Sequence, residues 1–173
     1  MRPLLFVVAL LAVGCGSEIG DSCSIYLDCA QDGTRLCDSN SDGGYCTIRG
    51  CDFGTCPSES VCVRFFTGSF DNKTCDPKTE DDSTDMCNPD ELCALDGHCV
   101  TRASEVRYCM RTCEQAGSID NRNPAGDCRD GYECRGLDLM KDDGGEPVPA
   151  SGTKLPDQPQ AFCAQAPTVV TGS

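Results

Sequence analysis

Seventeen cysteines and a single histidine set the chemistry open to this chain of 173 residues. A thiol can act as a nucleophile, hold zinc or pair as a disulfide, and spacing helps to separate those uses. Structural zinc sites and thioredoxin-like centres bring cysteines together about two to four residues apart, commonly as C-x-x-C. No two cysteines here have two residues between them; Cys109 and Cys113, the nearest pair, have three. Sixteen of the cysteines are therefore expected to be disulfide partners: Cys23, Cys29, Cys37, Cys46, Cys51, Cys56, Cys62, Cys75, Cys87, Cys93, Cys99, Cys109, Cys113, Cys128, Cys134 and Cys163. No metal or cofactor is expected at them.

Asp38-x-Asn40-x-Asp42-Gly43 copies the opening of an EF-hand loop, in which alternate oxygens converge on a hard cation and glycine makes the turn. The pattern then breaks. Arg49 stands at the position of the bidentate glutamate, and Cys46 lies inside the loop. A Gly-rich polar turn before Tyr45 accounts for the same residues, so calcium binding at Asp38, Asn40 and Asp42 is left open. Catalysis has little to build on. His98 precedes Cys99, a disulfide candidate, and a triad or Cys–His dyad needs a free, oriented imidazole. Asp81-Asp82 could do acid–base work but reads as solvated charge, and no Gly-rich phosphate loop follows a strand. The chain is not expected to be an enzyme.

Two binding features remain. Phe65, Phe66 and Phe70 cluster around one turn, with Tyr26, Tyr45 and Phe53 nearby in sequence. In a chain without tryptophan they suit either a small core, the preferred reading, or a stacking face. Arg102, Arg107, Arg111, Arg122, Arg129 and Arg135 look locally basic, yet residues 85–164 carry 15 acids against 8 bases. Nucleic-acid binding is disfavoured, and pairing of arginine with carboxylates is the ordinary use.

The elements that must position these residues start from an N-terminal targeting segment. Arg2 supplies a positive n-region, and Leu4 to Val13 form an apolar run too short to span a bilayer. Ala12 and Gly14 are the small residues a signal peptidase needs, so residues 1–14 read as a signal peptide. Leu11-Ala12-Val13-Gly14-Cys15 resembles the lipobox of bacterial lipoproteins, with Ala12 where leucine is usual. The resemblance implies cleavage before Cys15, a thioether-linked diacylglycerol on its sulfur and acylation of the new amine, as with palmitate. Gly16 in place of aspartate implies sorting to the outer membrane of a two-membrane cell. Plain secretion with Cys15 as a free thiol is the alternative. Cysteine parity favours the lipid: removing Cys15 leaves sixteen, enough for eight disulfides.

Composition explains why cross-links are needed. From Cys15 onward Leu, Ile, Val and Phe number 23 of 159 residues, and loss of Arg2 leaves a formal charge of −15. Such a chain cannot offset its backbone entropy by apolar burial alone. Disulfides shrink the unfolded ensemble and can replace a missing core.

The cysteines fall into two octets, Cys23 to Cys75 and Cys87 to Cys163, with matching five-residue gaps. Cys29-Ala30-Gln31-Asp32-Gly33 matches Cys93-Ala94-Leu95-Asp96-Gly97, and Tyr45-Cys46 matches Tyr108-Cys109. The expectation is a tandem repeat, each copy closed by its own disulfides in one of 105 pairings. Residues 15–22 would be a lipidated tether, 23–76 module one, 77–84 an acidic linker, 85–164 module two with a mobile loop over 137–160, and 165–173 a disordered tail. The fold class is small and disulfide-rich, built from short β-strands and irregular loops with little helix. Val61, Val63 and Phe65 alternate as a strand, Asp32-Gly33, Asp42-Gly43 and Asp96-Gly97 signal turns, and Cys109–Gln115 suits a short helical turn.

The segments Gly43-Gly44-Tyr45-Cys46-Thr47, Tyr108-Cys109-Met110-Arg111-Thr112-Cys113-Glu114 and Asp127-Cys128-Arg129-Asp130-Gly131-Tyr132-Glu133-Cys134 resemble Cys-rich envelope lipoproteins of bacteria. That resemblance implies location and architecture but no reaction. The expected function is a lipid-anchored surface protein with a structural, adhesive or ligand-binding role, its partner an envelope protein or polysaccharide. The alternative is a disulfide-scaffold inhibitor or toxin-like effector presenting the 137–160 loop; an envelope hydrolase comes third.

Overall fold

A computed structural model describes residues 16–67, 73–79, 86–151 and 155–167. The signal segment, Cys15, Phe70, Asp81-Asp82 and residues 168–173 lie outside them. In chain order the elements are α1 (Tyr26–Cys29), β1 (Leu36–Asp38), β2 (Tyr45–Thr47), β3 (Ser60–Phe66), β4 (Glu91–Cys93), β5 (Cys99–Thr101), β6 (Glu105–Arg111), β7 (Tyr132–Arg135), α2 (Leu137–Asp143), β8 (Glu146–Pro147) and β9 (Phe162–Gln165). Short strands and loops dominate, as composition predicts. The strand expected at Val61–Phe65 is β3, and Gly33, Gly43 and Gly97 turn with positive φ. Of the stretch Cys109–Gln115 expected to make a short helical turn, residues 109–111 are instead the end of β6, which pairs with β3 from Ser60↔Arg111 to Phe66↔Glu105, and residues 112–115 are not helical.

All sixteen cysteines downstream of Cys15 are paired, and the pairing follows one rule four times. Unit one joins Cys23 to Cys37 and Cys29 to Cys46; unit two joins Cys51 to Cys62 and Cys56 to Cys109. Unit three joins Cys75 to Cys93 and Cys87 to Cys99; unit four joins Cys113 to Cys134 and Cys128 to Cys163. In each quartet the first cysteine bonds the third and the second bonds the fourth. The third and fourth stand directly opposite on an antiparallel ribbon: Cys37↔Cys46, Cys62↔Cys109, Cys93↔Cys99 and Cys134↔Cys163. Opposed residues of such a ribbon project from the same face, so both bridges leave side by side. A tight turn also recurs just after each second cysteine. There the next residue's carbonyl accepts an N–H three residues on: Gly33 to Ala30, Ser60 to Pro57, Glu91 to Asn88 and Tyr132 to Arg129.

This corrects the expectation of two octets closed independently. Cys56–Cys109 and Cys75–Cys93 both cross the proposed boundary, and β3 of the first half pairs with β6 of the second. Unit three is inserted between the third and fourth cysteines of unit two. The shared Cys-Ala-x-Asp-Gly strings are real turns, yet they occupy different places. One follows a second cysteine and the other a third, because a local turn signal is blind to which ribbon it serves.

Parts of two further segments expected to be loose are folded. In residues 16–22 of the supposed tether, Ile19 is fully buried, and the Gly20 N–H donates to the Cys46 carbonyl while Asp21 accepts from Cys46. In the supposed mobile loop, Leu139 and Met140 of α2 and Val148 beyond β8 are buried, and β8 adds a third strand to the sheet β6-β3-β8. Polar punctuation around these few apolar residues hid the anchors. Gln165 likewise belongs to β9, not to a tail.

The main core packs Ile19, Tyr45, Val63, Met110, Tyr132, Met140, Val148, Phe162 and Ala164 around Cys51, Cys62, Cys109, Cys128, Cys134 and Cys163. Half-cystine sulfur thus supplies bulk that aliphatic side chains supply elsewhere. No helix among the described residues is long and apolar enough to cross a membrane. Eight disulfides mark an extracytoplasmic protein.

Candidate functional site

The ribbon geometry gathers sulfurs tightly. The sulfurs of Cys23, Cys29 and Cys37 lie within 4.8 Å of one another, as do those of Cys51, Cys56 and Cys62, of Cys75, Cys87 and Cys99, and of Cys113, Cys128 and Cys134. Every one of these sulfurs is in a disulfide, so none offers a thiolate to a cation or a substrate.

The Asp38–Gly43 loop closes the β1–β2 ribbon of unit one. The Asp38 carboxylate accepts from the Asn40 N–H at 3.1 Å and the Ser41 hydroxyl at 3.0 Å, which folds the loop on itself. Its far side is docked onto unit four. Arg129 donates through one Nη to the carbonyls of Asp42 (2.9 Å) and Gly44, and the Tyr132 hydroxyl donates to the Asp42 carbonyl at 3.0 Å. The Asp42 carbonyl therefore faces a guanidinium. An EF-hand-like string here makes a clasp between units.

That clasp is aromatic as well. Tyr45 and Tyr132 stack with centroids 5.4 Å apart, and the Arg129 guanidinium lies 4.1 Å from the Tyr132 centroid and 5.7 Å from that of Tyr45. Tyr45 donates to the Cys163 carbonyl and accepts from the Arg111 N–H, tying units one, two and four. Burial pushes its phenol well above the ordinary range.

The core reading of the aromatic residues holds for Tyr45 and in part for Phe65 and Phe66, and fails for Tyr26 and Phe53. Phe65 meets Phe162 edge-on at 6.3 Å, and Phe66 packs on Leu92, Ala94 and Val100 of unit three. Tyr26 and Phe53 are exposed. His98 sits at the turn of unit three with Nδ1 3.5 Å from Asp96. Most of the arginines singled out by sequence meet carboxylates. Arg107 meets Glu105 and Asp52, Arg111 meets Glu18, and Arg122 and Arg135 converge on the fully buried Glu133. Arg122 also reaches Asp143 of α2.

The candidate ligand cleft was not legible in the sequence. It measures about 310 Å³ and opens between α2 and unit three, with Phe65, Phe66, Leu95, Val100 and Met140 as its apolar wall and Glu146 beneath. Glu146 is 2% exposed and accepts from Arg64 Nε at 2.5 Å and the Leu95 N–H at 2.8 Å. Burial raises its pKa, while Arg64 and the Leu95 N–H act in the opposite direction. With both oxygens occupied, it pins unit three to β3 and is not a free acid or base. Lys141 and Asp142 stand at the rim. Such a cleft suits an apolar group flanked by charge. Only the strand alternation at Phe65 and Phe66 pointed there; the opposing wall comes from the segment read as a mobile loop.

Comparison with known protein families, with curated proteins and with solved structures finds no match.

Proposed function

We propose that this is a lipid-anchored cell-envelope protein of a bacterium, acylated on Cys15, whose ectodomain serves as a binding or scaffolding module. The supporting observation is the completeness of the pairing. Sixteen cysteines are consumed by eight bridges, and Cys15, at the end of the lipobox-like string, is the one residue of its kind left over. A free thiol in an oxidising compartment would invite mispairing, and a thioether removes it. Maturation would supply three acyl chains, enough for stable attachment where a single chain gives only marginal binding.

The ligand-binding part of the reading rests on the cleft between α2 and unit three. Its candidate partner is an envelope protein or polysaccharide presenting a small apolar group. An inhibitory role through the 137–160 loop would have to rest on the stretch beyond β8, because α2 and β8 hold its first part in the fold.

Intact-mass analysis of protein taken from its native membrane tests the anchor. The expected species begins at Cys15, carries three acyl chains and takes up no alkylating reagent until reduced. An unacylated Cys15 overturns the reading. Pull-down from envelope extracts, compared with a Leu95→Arg variant that fills the cleft, tests the binding role. Equal capture by both overturns it.

A further inference from the structure

Three large apolar side chains in a row, Ile25, Tyr26 and Leu27, are 53, 58 and 46% exposed. The other exposed large apolar residues among those described, Phe53, Met86 and Ile119, stand singly. This run sits on a turn of fixed shape. The Asp28 carboxylate accepts from the N–H groups of Ser24 and Ile25 at 2.7 and 3.0 Å, and the bridges Cys23–Cys37 and Cys29–Cys46 hold both ends. A rigid protein gains nothing for its own stability by holding such a group in water, so the turn reads as a contact surface.

Its occupant follows from where the chain enters the fold. The Ser17 hydroxyl donates to the Asp28 carbonyl at 2.6 Å, Arg35 donates to the Ser17 carbonyl, and Ile19 is buried. Ser17 is two residues from Cys15, a reach of at most about 7.6 Å between Cα atoms. We infer that the Ile25-Tyr26-Leu27 turn is a membrane-seating surface, pressed into the lipid interface beside the acyl chains on Cys15. The inference rests on the lipid-anchor reading and deepens it: the ectodomain lies on the bilayer in one orientation instead of swinging from a spacer. Immersion by about 5–10 Å would cover the isoleucine and leucine and leave the tyrosine hydroxyl at headgroup level. Neutral headgroups are the matching surface, because the net charge of the mature chain, formally −15 by residue count, is repelled by anionic lipid.

The chain has no tryptophan, so Leu27→Trp places a single reporter in the turn and Ile119→Trp places one at an isolated exposed site. Each full mature protein, its acylation read by mass, is reconstituted in phosphatidylcholine vesicles with and without brominated acyl chains. The expected result is a blue-shifted Leu27→Trp emission, largely lost with brominated lipid, and an unshifted, unquenched Ile119→Trp. Acylated protein whose Leu27→Trp emission stays water-like overturns the seat and leaves the anchor standing. A blue shift without bromine quenching that grows with protein density overturns it in favour of a second copy as occupant. An unacylated Cys15 with no vesicle binding overturns both.

Discussion

Gly44 shows how closely the units are fitted. Its φ is +68°, and a Cβ there would lie 1.9 Å from the Cys23 carbonyl oxygen and 2.9 Å from the Cys23 sulfur. A left-handed backbone is strained for any residue with a side chain, and here no space remains either. Gly44→Ala is expected to lower stability by at least about 2 kcal/mol and to leave the Cys23–Cys37 pair partly reduced after refolding, read by thiol labelling. Arg129 is the second such residue. Removing it strips the Tyr45–Tyr132 stack of its cation, takes the Arg129 donor from the Gly44 carbonyl and leaves the Asp42 carbonyl to the Tyr132 hydroxyl. Arg129→Ala is expected to cost about 2 kcal/mol in urea unfolding, and Arg129→Lys should restore little, since a point charge lacks the planar fork. Glu146 carries a pH signature. Burial lifts its folded pKa above the ordinary 4.5, so the folded state holds the proton more tightly than the unfolded chain. Stability therefore falls as pH rises from that ordinary value through the raised one. Glu146→Gln should abolish this slope in unfolding curves taken across the window, while lowering stability at neutral pH by leaving Arg64 without its counter-ion.

At the scale of elements, the four ribbons are alike but do not contribute equally. Cys87 and Cys99 are 12 residues apart, whereas Cys56 and Cys109 are 53 apart and close the long excursion that holds unit three. Loop-closure entropy grows with the logarithm of length, giving about 3 kcal/mol for the short bridge and about 4 kcal/mol for the long one in an otherwise uncross-linked chain. Replacing Cys56 and Cys109 together by serine should thus lower the unfolding midpoint more than replacing Cys87 and Cys99. It should also loosen the register of β3 on β6, detectable as faster amide exchange from Ser60 to Phe66. Alternation of Val61, Val63 and Phe65 was enough to predict β3, because a half-buried strand writes its period into its side chains. Two-residue β8 and seven-residue α2 left no such trace. Their folding depends on Leu139, Met140 and Val148 reaching a core built by other units.

The whole molecule is interlocked. Two disulfides and a seven-residue strand pairing cross the midpoint of the chain, so the halves are not separable bodies. A protease site engineered into residues 80–84 and cut without reduction should leave one particle of unchanged mobility; independent modules would part into two. Reduction should then release both pieces and unfold them, since so much of the core is half-cystine.

What the sequence determined unaided was the strategy. Seventeen cysteines, few large aliphatic residues and high negative charge leave cross-linking as the way to compactness, and that follows from composition alone. Turn positions and one strand were legible too, because Gly after Asp and period-two alternation act over a few residues. The partner of each cysteine was decided only in three dimensions. A disulfide needs its two Cα atoms about 6 Å apart whatever their distance along the chain, and the ribbon that brings Cys109 beside Cys62, and so within reach of Cys56, requires unit three to be looped out between them.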